Sequence, residues 1–512
     1  MPRPALVATL STLALVASTA PAWAEPLTVA LRLVAEGDGG GAAPVSPLIG
    51  ALTGPAEPAD LPSLIDRALR SDPDLARVEI DLVIAAAAID RARTWDDWAV
   101  AADASASTRV ANDTRTWGAG VSGDLTRALS TGGVAGVRVE STWADTSRSA
   151  GVYTETITAS VSQPLLRGRG EELVRAAERA ALIERDAAAL VGDAAAIAVV
   201  QEVVLAYFDL IAAERELAIR VASLELARER LRVTEAGIKV GGVAPAERIS
   251  VQQAIATREE DILAGEVTVI ERSLALRRAA GMVIGPGQML LTSDVALAIP
   301  ARTWDTAAVL AAAIASSPEA AQLRAREAGA TIEVEVGERG VLPALDLALA
   351  LGPSGSADDP GEAALDMITF DEFAAALSLS YRTTLGEVAA RTTARTARAQ
   401  RQRVRVDAGD LEKQLALAAS RAVIAVHAAE RRHALAVRTI ELAQQALTAE
   451  QARLASGKSR NVDVLARQDE LRAAQLRQIR AIVEWHRAAT TIAGLTGALL
   501  PSYGVTVSAR GR

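Results

Sequence analysis

Residues 153–170 read YTETITASVSQPLLRGRG, and the interpretation of this stretch decides the fold. Thr154, Thr156, Thr158, Ser160 and Ser162 alternate with Tyr153, Glu155, Ile157, Ala159 and Val161. A period of two puts the hydroxyls on one face of a strand and mostly apolar groups on the other, as expected for a strand between water and lipid. The alternation stops at Gln163-Pro164-Leu165-Leu166, where strand gives way to helix.

The same period returns elsewhere. Ala135, Val137, Val139 and Trp143 share one face of the segment 133–143. Leu345, Leu347, Leu349 and Leu351 alternate with Ala344, Asp346, Ala348 and Ala350; Phe373, Ala375, Leu377, Leu379 and Tyr381 alternate with Ala374, Ala376, Ser378, Ser380 and Arg382. A small soluble sandwich is the competing explanation, but one chain has too few strands to close it. Strands from several copies must combine to remove the edges.

Between the strands the period changes to seven, in two similar halves offset by 216 residues. Val203, Leu210, Leu217, Leu224, Leu231 and Ile238 superimpose on Ala419, Val426, His433, Ile440, Leu447 and Leu454. Ile255, Ile262, Val269 and Leu276 superimpose on Leu471, Gln478, Trp485 and Ile492; Gly241 falls on Gly457, Glu247 on Asp463 and Gly281 on Gly497. Such ladders mean long helices that keep one seam against a neighbour. Each half is expected to hold a helix (62–96; 304–340), strands, a very long helix (171–240; 387–457), a turn and a further helix (245–281; 459–497). Each long helix would span roughly 105 Å. Ser71-Asp72-Pro73 and Ser316-Ser317-Pro318 are expected inside amphipathic helices. Gly241 and Gly242, and Gly457 and Lys458, mark the hairpin reversals.

Composition narrows the class. Half of the 512 residues are hydrophobic, yet aromatics are only 3%, so alanine-rich helices must pack closely side by side. Charged residues at 23% are too many for a polytopic helical membrane protein, and a net charge of −9 gives no reason to expect nucleic acid as partner. The absence of cysteine excludes disulfides, thiolate metal sites and a cysteine nucleophile. Residues 1–24, with Arg3, an apolar run and Ala22-Trp23-Ala24, read as a signal peptide, and the Gly- and Pro-rich 25–60 as a flexible linker. The most apolar later stretch, Ala194 to Ala213, is interrupted by Gln201, Glu202 and Asp209, so no spanning helix is expected.

Taken together, residues 61–499 resemble the TolC-type outer-membrane efflux protein family. The resemblance is carried by Gln163-Pro164-Leu165-Leu166-Arg167-Gly168-Arg169-Gly170, Gly457 with Asp463 six residues on, the helix ends Gly281 and Gly497, and Val341-Leu342-Pro343-Ala344-Leu345 entering a strand. It implies a mainly α protein with a membrane β-barrel portion. Long antiparallel helical hairpins and four β-strands per protomer would form a trimeric α/β barrel with an internal two-fold repeat. Twelve strands would close the barrel in the outer membrane, and the helices would line a large periplasmic tunnel. The repeats are expected at 61–301, with strands at about 98–163, and 302–499, with strands at about 341–383, leaving 500–512 as a tail. Departures are Thr383-Thr384-Leu385, where the family usually has proline before the leucine, and Trp98 in the place corresponding to Pro343. Extra strand-like segments at 99–126 and 133–145 are expected to lengthen strands or an external loop.

The resemblance also implies a function without a reaction or cofactor: a passive exit duct of a tripartite efflux or type I secretion system. A periplasmic adaptor would dock on the tips, joining the homotrimer to an inner-membrane pump of RND or ABC type, with outer-membrane lipid around the strands. Asp463 matches an acidic constriction position, with Glu247 its first-half equivalent and Arg460 one turn earlier. A ring of three Asp463 carboxylates would favour cations, and Arg460 could bridge hairpins. Ordinary helix capping is the competing account of these residues. The other functional class is a periplasmic coiled-coil adaptor or scaffold. His427, His433 and His486 show no ligand spacing, and no serine sits in a nucleophile elbow. Trp95 and Trp98 are read equally as membrane-edge anchors or as a buried junction.

Overall fold

A computed structural model describes residues 57–505, except 112–113, 147–148, 286–288, 293–297, 301 and 371. The segment read as a signal peptide, most of the stretch read as a 25–60 linker and the end of the expected tail lie outside the described residues. The first half runs β1 (Glu57–Ala59), α1 (Leu61–Ser71), α2 (Pro73–Arg93), β2 (Trp98–Ala111), β3 (Thr114–Ala128), β4 (Val134–Thr146) and β5 (Ser149–Pro164). A single turn α3 (Glu171–Val174) precedes α4 (Ala176–Lys239) and α5 (Glu247–Ala279), and β6 (Leu290–Thr292) follows. The second half runs α6 (Thr306–Ser316), α7 (Pro318–Gly340), β7 (Ala344–Ala357), α8 (Pro360–Thr369), β8 (Glu372–Arg382), α9 (Val388–Ala455), α10 (Asn461–Leu495) and α11 (Leu499–Ser502).

The long helices have 64 and 68 residues, α4 and α9 respectively, or roughly 96 and 102 Å. Every heptad-ladder residue on α4, α5, α9 and α10 is buried or half-buried. Val203, Leu210, Leu276, Ala419 and Val426 are fully buried. One core joins α4 to α1, α5, β6 and α11 through Ile65, Val200, Leu210, Leu276, Leu290 and Leu499; another joins α9 and α10 through Val423, Val426, Trp485 and Ile492. Part of α4 is apolar and long enough to cross a bilayer. Val199, Val200, Val203, Val204, Leu210 and Ile211 use that apolarity as core, each at most 8% exposed.

Both hairpins reverse through a left-handed glycine. Gly241 has φ +73° and Gly457 φ +72°, conformations a Cβ would strain. Gly241 N–H donates to Ile238 and Gly242 N–H to Gly237; Gly457 N–H donates to Leu454 and Lys458 N–H to Arg453. The pairing satisfies carbonyls that the helix end leaves free.

Three expectations are corrected. Residues 62–96 and 304–340 each form two helices, because Pro73 and Pro318 open a new helix and hold Asp72 (ψ 128°) and Ser317 (ψ 120°) extended. Asp72 accepts from the N–H of Asp74 and Leu75, and Ser317 from Ala320, so the serine–proline stretches are caps between helices. Second, the stretch assigned to linker, 25–60, closes on a short strand. Glu57–Ala59 pairs in parallel with Leu290–Thr292 and buries Ala59. Third, among the described residues the sheet has six strands in the order β2-β3-β4-β5-β7-β8, not four. All neighbours within it are antiparallel. The segments 99–111, 114–126 and 133–145 add ladder strands instead of a loop, because each is paired along its length with its neighbours even where Ser, Gly and Ala make the alternation faint.

Candidate functional site

The register sorts most of the sheet into two chemical faces; Ser141 and Glu155, hydrogen-bonded to each other at 2.6 Å, are polar exceptions on the apolar side. Val137 pairs with Leu125 and Ala159, Val161 with Ala135 and Leu349, and Leu349 with Leu377. Leu347–Leu379, Val100–Leu125 and Ala104–Val121 continue the same side. Many of these side chains lie open: Val100 is 78% exposed and Leu377 72%. On the opposite side Ser162, Ser160, Thr158 and Thr156 face Val134, Gly136, Arg138 and Glu140. Arg138 pairs there with Asp124 at 3.7 Å and Glu140 at 3.4 Å. An apolar band backed by hydroxyls and paired charges suits a wall between lipid and water.

The aromatic residues sharpen this reading. Trp98 begins β2 on the apolar face, 60% exposed, with the Arg127 guanidinium 5.5 Å from its ring centre. Trp117, opposite Thr108, lies on the same face with Arg115 at 6.0 Å. About ten residues of strand separate the two levels, roughly 33 Å along the strand. At a tilt of about 40° that is about 25 Å of height, the thickness of an outer-membrane apolar band with aromatic girdles. Trp98 therefore fits an anchor, whereas Trp95 is half-buried in the turn before β2.

Gln163-Pro164-Leu165-Leu166 sits where the wall meets the helices. The Gln163 amide donates to the Thr131 carbonyl at 3.1 Å, and the Thr131 hydroxyl donates back to the Gln163 Oε1 at 2.6 Å. Leu165 N–H reaches the Leu345 carbonyl at 2.7 Å, and Arg167 Nε the Leu342 carbonyl at 2.6 Å. Arg167 also lies 3.7 Å from Glu387, the left-handed residue (φ +42°) that starts α9. The motif thus clasps strands of the two halves side by side, and it holds the β3–β4 turn as well.

Further along the helices, charges tie the first hairpin to α10. Asp209 receives both Arg272 and Arg487, and Glu216 receives Arg480 at 3.0 Å. Arg258, 2% exposed, donates to Ser223 at 2.9 Å and Asp469 at 3.0 Å, while Arg472 pairs with Asp261. Sequence reasoning assigned no pairing to these residues. The available signal was Arg258 lying three residues after Ile255 and four before Ile262, a charge on an otherwise apolar seam.

At the tips, Glu247 Oε2 accepts from the Asn461 N–H at 3.2 Å, joining the start of α5 to the start of α10. Asp463 Oδ2 accepts from the Arg460 N–H at 3.1 Å and lies 3.4 Å from the Ser459 hydroxyl. Asp463 is therefore a helix cap in the protomer. Glu247 and Asn461 supply the contact between hairpins; the Arg460 guanidinium has no ion-pair partner among the described residues. Gly241, Gly242, Gly457 and Lys458 form the two exposed reversals.

His427 pairs with Glu430 at 3.2 Å on the surface. His486 stacks on Phe208, ring centres 4.2 Å apart, and its Nε2 is buried without a hydrogen-bond partner among the described residues. Among the described residues no group of His, Asp and Glu could hold a metal ion. Burial pushes the His486 imidazole down from 6.5 to about 4. Above pH 6.5 the ring is neutral folded and unfolded alike. Between pH 6.5 and 4 the unfolded chain takes up a proton that the folded one refuses, so stability drops as the pH is lowered, by up to about 1.4 kcal/mol per unit. His486→Phe keeps the stack and should flatten that segment of the stability–pH curve in chemical denaturation; an unchanged slope contradicts this account.

Residues 64–282 and 309–498 match the family described as Outer membrane efflux protein. No curated protein sequence matches the chain significantly. Among solved structures, VceC from Vibrio cholerae is similar at 16% identity, covering 85% of this chain and 96% of its own, with TM-score 0.60. The Campylobacter jejuni CmeC outer membrane channel is similar at 14% identity, with 86% and 85% covered and TM-score 0.59. The open state of the Neisseria gonorrhoeae MtrE channel is similar at 16%, with 86% and 89% covered and TM-score 0.58. The CmeC and MtrE structures are described as outer membrane channels. With a lipid-compatible face on its sheet and the family matched over most of its length, the chain belongs to the outer membrane efflux protein family, an outer-membrane transport protein with a periplasmic helical part.

Proposed function

We propose that three copies form a passive exit duct from periplasm to exterior, serving a tripartite efflux or type I secretion system. The observation that carries this reading is one sheet, apolar on one face and hydroxyl-lined on the other, fused to helical hairpins about 100 Å long. Such a sheet with two free edges needs other copies to complete a wall in lipid. Matched left-handed glycines at Gly241 and Gly457, and at Gly281 (φ +63°) and Gly497 (φ +68°), support an internal structural repeat. A periplasmic adaptor would meet the tips around Gly241, Gly242, Gly457 and Lys458, and an inner-membrane pump of RND or ABC type would supply energy and choose cargo. Heat-modifiable gel migration tests the assembly: an SDS-resistant trimer in the outer-membrane fraction is expected, and a soluble monomer defeats the proposal. The adaptor or scaffold reading expects one hairpin beside a compact β domain, which two hairpins and an open sheet do not match.

At the tips, Asp463, Glu247 and Arg460 are proposed to control the periplasmic opening. Three copies of Asp463 around the axis would attract cations while each caps its own helix. Asp463→Ala should lower cation selectivity in a planar bilayer, and Glu247→Ala, which frees the Asn461 N–H, should raise conductance. If Asp463→Ala changes neither selectivity nor conductance, the gate assignment fails.

A further inference from the structure

The two free edges of the six-stranded sheet complement each other. Among the described residues β2 pairs only with β3, and β8 only with β7. Every residue of β8 is exposed, as is each from Trp98 to Val110 on β2, whereas the strands between are largely half-buried. Successive strands alternate in direction, so β2 leaves the helical end of the sheet and β8 returns to it. The edges are therefore antiparallel to each other. Trp98, Val100, Ala102, Ala104 and Ala106 lie on the apolar side of one edge; Phe373, Ala375, Leu377, Leu379 and Tyr381 lie on that side of the other. Rotating one copy about an axis along the sheet brings β8 beside β2 of the next with the apolar sides continuous. A two-fold pairing of β2 with β2, or of β8 with β8, would send the helices to opposite sides of the membrane.

We propose that this protein closes an eighteen-stranded barrel, six strands from each of three copies, through a β8–β2 seam. The occupant of each edge is a second copy of this chain. The inference rests on the trimeric duct reading and adds the strand count and the seam. The β3–β4 hairpin is inserted between the outgoing β2 and the returning β5. Its turn is part of the wall's base: Gly170 N–H and the Gln163 amide both donate to the Thr131 carbonyl, and Leu129 N–H donates to Gly133 at 2.7 Å. Arg138, Asp124 and Glu140 of that hairpin fall on the polar face, as the bore of a closed barrel requires. Because diameter rises roughly linearly with strand number, eighteen strands give about one and a half times the width of twelve. The outer mouth would then admit bulky hydrated cargo, with narrowing left to the helices.

The native chain has no cysteine, so disulfide trapping is clean. Ala104→Cys is combined in turn with Ala375→Cys, Leu377→Cys and Leu379→Cys, and the native trimer is oxidised in the membrane. At least one pair should give covalent dimers and trimers on a non-reducing denaturing gel, while each single variant stays monomeric. Ala104→Cys with Val121→Cys, ladder partners within one chain, checks that cysteines on this face react. If none of the three pairs links in a protein that still migrates as a native trimer, the β8–β2 seam is overturned and the duct reading survives. Linking of Leu377→Cys to Val139→Cys on β4 instead would show β2 and β3 leaving the wall and twelve strands closing it. A native monomer would defeat the duct reading itself.

Discussion

Leu349→Arg should abolish the SDS-resistant assembly, whereas Ala350→Arg, one residue along, should leave it standing. Leu349 lies between Val161 and Leu377 on the apolar side of β7, and is 41% exposed in the single chain. An arginine there would face lipid near mid-strand, at a cost of about 2–4 kcal/mol in each copy. Three copies multiply the penalty, so the assembled fraction should fall by far more than tenfold. Ala350 lies between Ser160 and Ala376 on the other side. Its arginine would point into the water-filled bore and should shift ion preference toward anions. The paired outcome matters because a sheet that turned its hydroxyl face away from water would treat the two positions in the opposite order. Equal tolerance of both arginines would sink the assignment of faces.

The second large effect belongs to the helical seam. Leu276→Ala empties a fully buried site packed among α4, α5 and β6. Buried Leu→Ala changes cost about 2–5 kcal/mol, the spread depending on how far neighbours collapse into the cavity. The midpoint of the helical unfolding transition in denaturant should fall clearly. Leu226→Ala, 49% exposed on α4, should move it by well under about 1 kcal/mol. A similar shift in both variants would mean that the heptad ladder does not mark the core. The aliphatic rungs at this end of the hairpin are buried more completely than Leu231 and Ile238 near the tip. The same substitution near the tip should therefore cost less.

Arg258 and Asp469 show where reading the sequence stopped. They are 211 residues apart, so neither position by itself announces the pair. An arginine on a seam is compatible with a stem lying along apolar neighbours and a charge reaching solvent. Only the packing of α5 against α10 leaves it 2% exposed beside a carboxylate and Ser223. Asp463 teaches the converse. Its place after a glycine turn was legible, and so were two roles, but the cap is visible in one protomer while a ring needs three.

Local stereochemistry wrote the rest into the chain. A strand turns its side chains over every residue and a helix brings them round in about 3.6, so the periods of two and seven already separated wall from hairpin. Left-handed reversals were marked by Gly241 and Gly457, since other residues are strained there. Strand partners, by contrast, are chosen between segments distant in sequence. The faint alternation of β2 and β3, diluted by Ser, Gly and Ala, did not reveal two further ladder strands. Tertiary structure decided the strand count, the side Trp98 and Trp117 face and the partner of the buried Arg258, because those depend on which surfaces meet and not on the period within any one segment.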